Sequence, residues 1–112
     1  MIGRFILKVL LAIRGILLWK KHNLWYLLYP ITLVLLSFIL GLRQLYILFI
    51  SYFGLIFIVS EIFNFAIEKL CNLYTKNNDN LIKDIKDISA GATLLSAVAL
   101  LLFWLYAMVM LR

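Results

Sequence analysis

All five acidic residues of this 112-residue chain lie in one stretch. None occurs among the first sixty residues; Glu61, Glu68, Asp79, Asp84 and Asp87 share the next twenty-seven. Glu61, Asn64, Glu68 and Asn72 recur at i, i+3, i+7 and i+11, the spacing that stacks side chains on one face of a helix. The stripe follows an uncharged run, and an ionisable group at membrane depth is costly unless it is paired or hydrated. It must therefore face a partner helix or a wet cleft. Two readings are open. As oligomer glue, carboxylates and amides hydrogen-bond between helices. As a site, two carboxylates on one face supply a general base and a ligand for a hard cation such as Mg²⁺, which favours oxygens shared between protein and phosphate.

A second polar cluster, Lys83, Asp84, Lys86 and Asp87, precedes another apolar run. It serves either as an interfacial anchor that sets depth and orientation, or as a means of placing a lysine against phosphate oxygens. Ser89, Ala90, Gly91, Ala92, Thr93, Ser96 and Ala97 follow, all small, and permit close approach of another helix. No GxxxxGK[ST], protein-kinase loop or GxGxxG occurs. His22, beside Lys20 and Lys21, reads as an interfacial side chain, and Trp19, Trp25, Tyr26 and Tyr29 as an aromatic belt.

The elements that position these residues follow from where charge is absent. Residues 24–42 carry none, and their length, at about 1.5 Å per residue, nearly matches a hydrocarbon core of roughly 30 Å. Pro30, near the start of this first span, sits where a missing N–H is tolerated. After a turn at 41–44, an apolar run from Leu45 to Ser60 continues in helical pattern through Glu61 to Tyr74, predicting one helix over 45–74. Residues 75–80, reading TKNNDN, predict a loop. A third long helix is expected over 82–111, with no charge between Ile88 and Leu111. Residues 3–21 predict a surface helix: Arg4, Lys8, Arg14 and Lys21 fall within an arc of about 140°, although Leu7, Leu11 and Leu18 share that arc.

Composition agrees with a single membrane domain over 1–112. The chain is 66% hydrophobic and 14% charged with mean hydropathy +1.07, far from the average soluble domain. Stability then rests on helix packing and self-association. The net charge of +6 lies beside apolar spans, where anionic headgroups are nearer partners than nucleic acid, and no nucleic-acid recognition motif accompanies it. Cys71 is the one cysteine, which excludes an internal disulfide and a multi-cysteine metal site. Charges at Arg4, Lys8 and Arg14 argue against a signal peptide. Lys and Arg number five before the first span, one between the first two, and four over 69–86. The positive-inside rule then puts the N-terminus and the 69–87 connection in the cytoplasm, and 41–44 and the C-terminus outside.

The string from Glu61 to Leu70, EIFNFAIEKL, resembles the ExxNxAIExxxD signature of the small prokaryotic diacylglycerol kinases and undecaprenol kinases, and Lys86 to Ala92, KDISAGA, is similar to their KDxxAGA motif. With the surface helix, three spans and topology, the likeness covers nearly the whole chain. It implies an all-α integral membrane homotrimer with active sites between subunits, in the bacterial inner membrane. Its implied reaction uses MgATP to phosphorylate a lipid alcohol, diacylglycerol or undecaprenol. By position, Glu61 is then the general base, Asn64 a positioning group, Glu68 the Mg²⁺ ligand, and Lys86, Asp87 and Asn72 the nucleotide contacts. The chain departs from the pattern at three places. Phe65 stands for a Ser or Thr, Asn72 for an Asp, and Lys20-Lys21-His22-Asn23 occupies the place of an E-x-N string whose glutamate helps hold the metal. An inactive homologue, or a small transporter or accessory subunit with buried carboxylates, are the alternatives.

Overall fold

The computed structural model describes residues 1–74 and 80–110, with only the backbone of His22. The described chain is helical and contains no strand. Helix α1 spans Ile2–Asn23, a 3₁₀ turn Leu24–Leu27, α2 Leu28–Ile39, α3 Gln44–Tyr74 and α4 Asn80–Met110. Five of the six residues expected to form the 75–80 loop, Asp79 among them, lie outside the described residues; Asn80 already opens α4.

The expected continuous helix over 24–42 is broken instead, for reasons local to the backbone. Pro30 occupies the third position of α2, inside the first turn where no N–H is required; further along a helix its ring would clash with the carbonyl four residues back. The preceding residues take the tighter 3₁₀ winding. At the other end, Gly41 adopts φ 74°. Its N–H donates to the Phe38 carbonyl at 3.2 Å and that of Leu42 to the Ser37 carbonyl at 3.0 Å, a Schellman stop in which only glycine is unstrained at the left-handed residue. Leu42 is buried just beyond it, so the turn is pinned to the core.

Helices α3 and α4 form the main antiparallel pair, with α2 laid against α3. Ile50 and Leu100 are fully buried at their centre, with Leu33, Ile47 and Ala107 around them. Phe53 and Phe103 add an aromatic layer, centroids 5.2 Å apart. The close seat of α2 on α3 depends on Gly54: a Cβ there would lie 2.9 Å from the Pro30 Cβ. At the centre of the bundle Ser37 Oγ donates to the Leu33 carbonyl at 2.7 Å and Trp104 Nε1 donates to Ser37 Oγ at 3.2 Å.

Helices α3 and α4 have 31 residues each, about 46 Å at 1.5 Å per residue against a hydrocarbon core of roughly 30 Å. Both are long and apolar enough to cross a membrane, and Leu24–Ile39 is a shorter apolar segment. Large apolar side chains stay exposed along all three and along α1, the surface of a membrane protein. Helix α1 reaches the rest of the chain at its C-terminal end, where Trp19 is buried beside Ile62, Phe65 and Ala66 of α3.

Candidate active site

The last four turns of α3 carry the carboxylate stripe out of the apolar bundle. Glu61, only 7% exposed, and the half-buried Asn64 line a cleft with the more exposed Glu68. The cleft measures about 400 Å³. Its opposite wall is α4, through Ala90, Thr93, Leu94 and Ala97, and Phe57 lies one turn below Glu61. Small α4 residues let the helices approach while leaving space between their faces. Thr93 joins the walls: its hydroxyl is 3.4 Å from the carbonyl of Ser60, the residue before Glu61, and 3.4 Å from that of Ser89.

Two features mark this cleft as more than a packing seam. Glu61 and Glu68 lie two turns apart on one face of α3 and line the same cleft, an arrangement that favours a proton or cation beside them. Asn64 Oδ1 is buried and lacks a hydrogen-bond partner among the described residues. A buried acceptor without a donor costs about 1–3 kcal/mol, and a donor entering the cleft would remove that cost.

At the end of the cleft nearest Tyr74, Lys86 Nζ donates to Asn72 Oδ1 at 2.6 Å. The amide oxygen fixes the ammonium without neutralising it. Asp87 is exposed on the neighbouring face of α4 and does not line the cleft. Of the six residues singled out in sequence, the structure thus brings Glu61, Asn64 and Glu68 into one cleft, pairs Asn72 with Lys86 beside it, and leaves Asp87 to one side.

The donors present fit a hard cation only in part. Among the described residues, no group of three or more His, Cys, Asp or Glu is placed to hold a metal. Glu61 and Glu68 supply oxygens of the right chemistry, so a cation here needs the remainder of its shell from phosphate and water. The chain before α3 adds no carboxylate: Lys20 and Lys21 are exposed, and Asn23 Nδ2 is engaged with the Trp19 carbonyl at 3.2 Å. What that part of the chain does contribute is Tyr26, from the 3₁₀ turn. An aromatic in a Trp- and Tyr-rich boundary segment reads as a belt residue; the structure sets it in the 3₁₀ turn ahead of Pro30, against the cleft.

Comparison with known proteins adds one finding. A family model described as prokaryotic diacylglycerol kinase matches residues 10–108, a range containing every residue of the cleft. No curated protein and no solved structure matches the chain.

Proposed function

The chain belongs to the prokaryotic diacylglycerol kinase family, a membership that carries lipid-kinase activity in general, and from it we propose that this protein transfers the γ-phosphoryl group of ATP to a lipid alcohol, diacylglycerol or undecaprenol, at the cytoplasmic face of a bacterial inner membrane. The observation that supports this most is the burial of Glu61 in one cleft with Asn64 and Glu68. Phosphoryl transfer asks little covalent chemistry of a protein; positioning and charge neutralisation do most of the work. A few polar groups on packed helices suffice.

In this mechanism the lipid alcohol enters from the bilayer with its hydroxyl against Glu61, which accepts the proton as the oxygen attacks phosphorus. Low polarity around Glu61 strengthens that hydrogen bond. Asn64 orients the reacting groups through its buried oxygen. Lys86, steadied by Asn72, holds phosphate oxygens at the far end, with Asp87 as a second contact on the nucleotide's flank. Glu68 is the carboxylate that would hold Mg²⁺, which would supply charge neutralisation to the phosphates.

The open cleft and the exposed apolar faces of α1, α3 and α4 support self-association, and we take the working unit to be a homotrimer with the cleft at the boundary between subunits. Basic α1 and the 69–87 connection then face the cytoplasm. The test is turnover of labelled ATP by purified protein in mixed micelles, with several lipid alcohols offered in turn. Lipid-dependent product is expected; ATP consumption independent of every lipid would refute the proposal.

A further inference from the structure

The carboxylate cleft has a third wall besides α3 and α4. Among the described residues before α3, Tyr26 is the one that lines it. Its neighbour one turn on, Tyr29, is bound into the bundle: the Tyr29 hydroxyl donates to the Ala97 carbonyl of α4 at 2.7 Å, and its ring meets Phe57 edge-on with centroids 5.2 Å apart. Tyr29, Phe57 and Ala97 therefore share one level at the deep end of the cleft. One turn toward the Glu68 end of the bundle leads from these three to Tyr26, Glu61 and Thr93 respectively. At roughly 1.5–2 Å per residue, each lies about 6 Å higher. The contact of Thr93 with the Ser60 carbonyl places α3 and α4 at the same height independently. Tyr26 thus stands at the level of Glu61, not at that of Lys86 and Asn72.

We propose that Tyr26 contacts the acceptor lipid beside its reacting hydroxyl, and that Tyr29 is the positioning residue that holds it there; the proposal rests on the lipid-kinase reading. A phenol suits this role and not the nucleotide's. It brings no negative charge to a cation and no positive charge to a phosphate, but it donates and accepts one hydrogen bond at the edge of an apolar ring. That matches a neutral polar head on a hydrocarbon chain. Diacylglycerol offers ester oxygens next to its hydroxyl, whereas a polyprenol offers the hydroxyl alone. The hydroxyl bond of Tyr29 to a helix carbonyl fixes the start of α2, and with it the 3₁₀ turn that carries Tyr26.

Tyr26→Phe and Tyr29→Phe test this, since both keep the ring and its packing. With wild type and each variant in mixed micelles, KM is measured separately for lipid alcohol and for MgATP. Tyr26→Phe is expected to raise the lipid KM about three- to tenfold, the worth of one hydrogen bond, with the MgATP KM unchanged. A rise with diacylglycerol alone places the phenol on an ester oxygen; a rise with a polyprenol as well places it on the hydroxyl being phosphorylated. A belt residue tolerates Phe, so an unchanged lipid KM for both alcohols overturns the proposal. Tyr29→Phe is expected to raise the lipid KM too, but to add less than about twofold when Tyr26 is already Phe; full additivity overturns the positioning role. An active wild type with an unaffected Tyr26→Phe sinks this inference alone, and a wild type without lipid-dependent turnover sinks it together with the proposed function.

Discussion

Lys86 of α4 and Asn72 of α3 meet at 2.6 Å through ammonium and amide oxygen, and the neutrality of the amide decides what the lysine is free to do. A carboxylate at position 72 would form an ion pair with Lys86; the amide leaves its charge for phosphate. Replacing Asn72 with Leu keeps the bulk but frees the ammonium to swing, and should raise the KM for MgATP about threefold at saturating lipid. Lys86→Met removes the charge itself and should raise it about tenfold or more. In the double variant the Asn72 effect should vanish, since it acts through Lys86. Equal effects of Asn72→Leu in both backgrounds would show that Asn72 meets the nucleotide directly.

Gly54 is where α2 and α3 come closest, and the group it faces is the rigid ring of Pro30. A methyl group there has no flexible neighbour to displace, so Gly54→Ala should destabilise the fold by about 1–3 kcal/mol. Denaturation in detergent with increasing SDS fraction reads this out. Stability equal to wild type would mean that α2 rides over the new methyl group without loss.

The parts of the site legible in sequence are those that helical periodicity alone determines. Glu61, Asn64 and Glu68 share a face because of their spacing, and that face turns to a cleft because lipid would leave the carboxylates unhydrated. That Asn72 meets Lys86 was not legible, because the contact joins two helices and depends on the register in which α3 and α4 pack. Tyr26 was hidden for a different reason. Hydropathy measures how long an uncharged run is but not how its backbone is wound or which neighbours it meets, so residues 24–42 read as one helix and Tyr26 as one belt aromatic among several. The glycine stop at Gly41 was visible only as a turn; that it pins Leu42 into the core required the fold.

Within the Lys20-Lys21-His22-Asn23 string, Lys21 and Asn23 are the two positions at which a glutamate would best restore the missing carboxylate, and the structure separates them. Asn23 uses its side-chain N–H to cap the end of α1 on the Trp19 carbonyl, a donor that glutamate lacks. Lys21 is exposed and lies about 200° around the helix from Trp19, away from α3 of its own chain. Lys21→Glu should therefore lower the Mg²⁺ concentration for half-maximal rate, acting across a subunit boundary, while Asn23→Glu should only lose activity. Titration of Mg²⁺ at fixed ATP checks both. A gain from Asn23→Glu and none from Lys21→Glu would put the third wall of the metal site within one chain.

The role of Glu61 is the centre of the account, and Glu61→Gln isolates it. The amide keeps shape and hydrogen bonding but cannot take the hydroxyl proton. The decisive measurement is the rate of labelled phosphate transfer to lipid alcohols by wild type and Glu61→Gln, matched for assembly by size-exclusion chromatography in the same micelles. The account predicts lipid-dependent transfer by wild type and a loss of about 10²–10⁴-fold in the variant. A variant within about threefold of wild type would contradict it, removing Glu61 from the chemistry and leaving the stripe as the bond between helices.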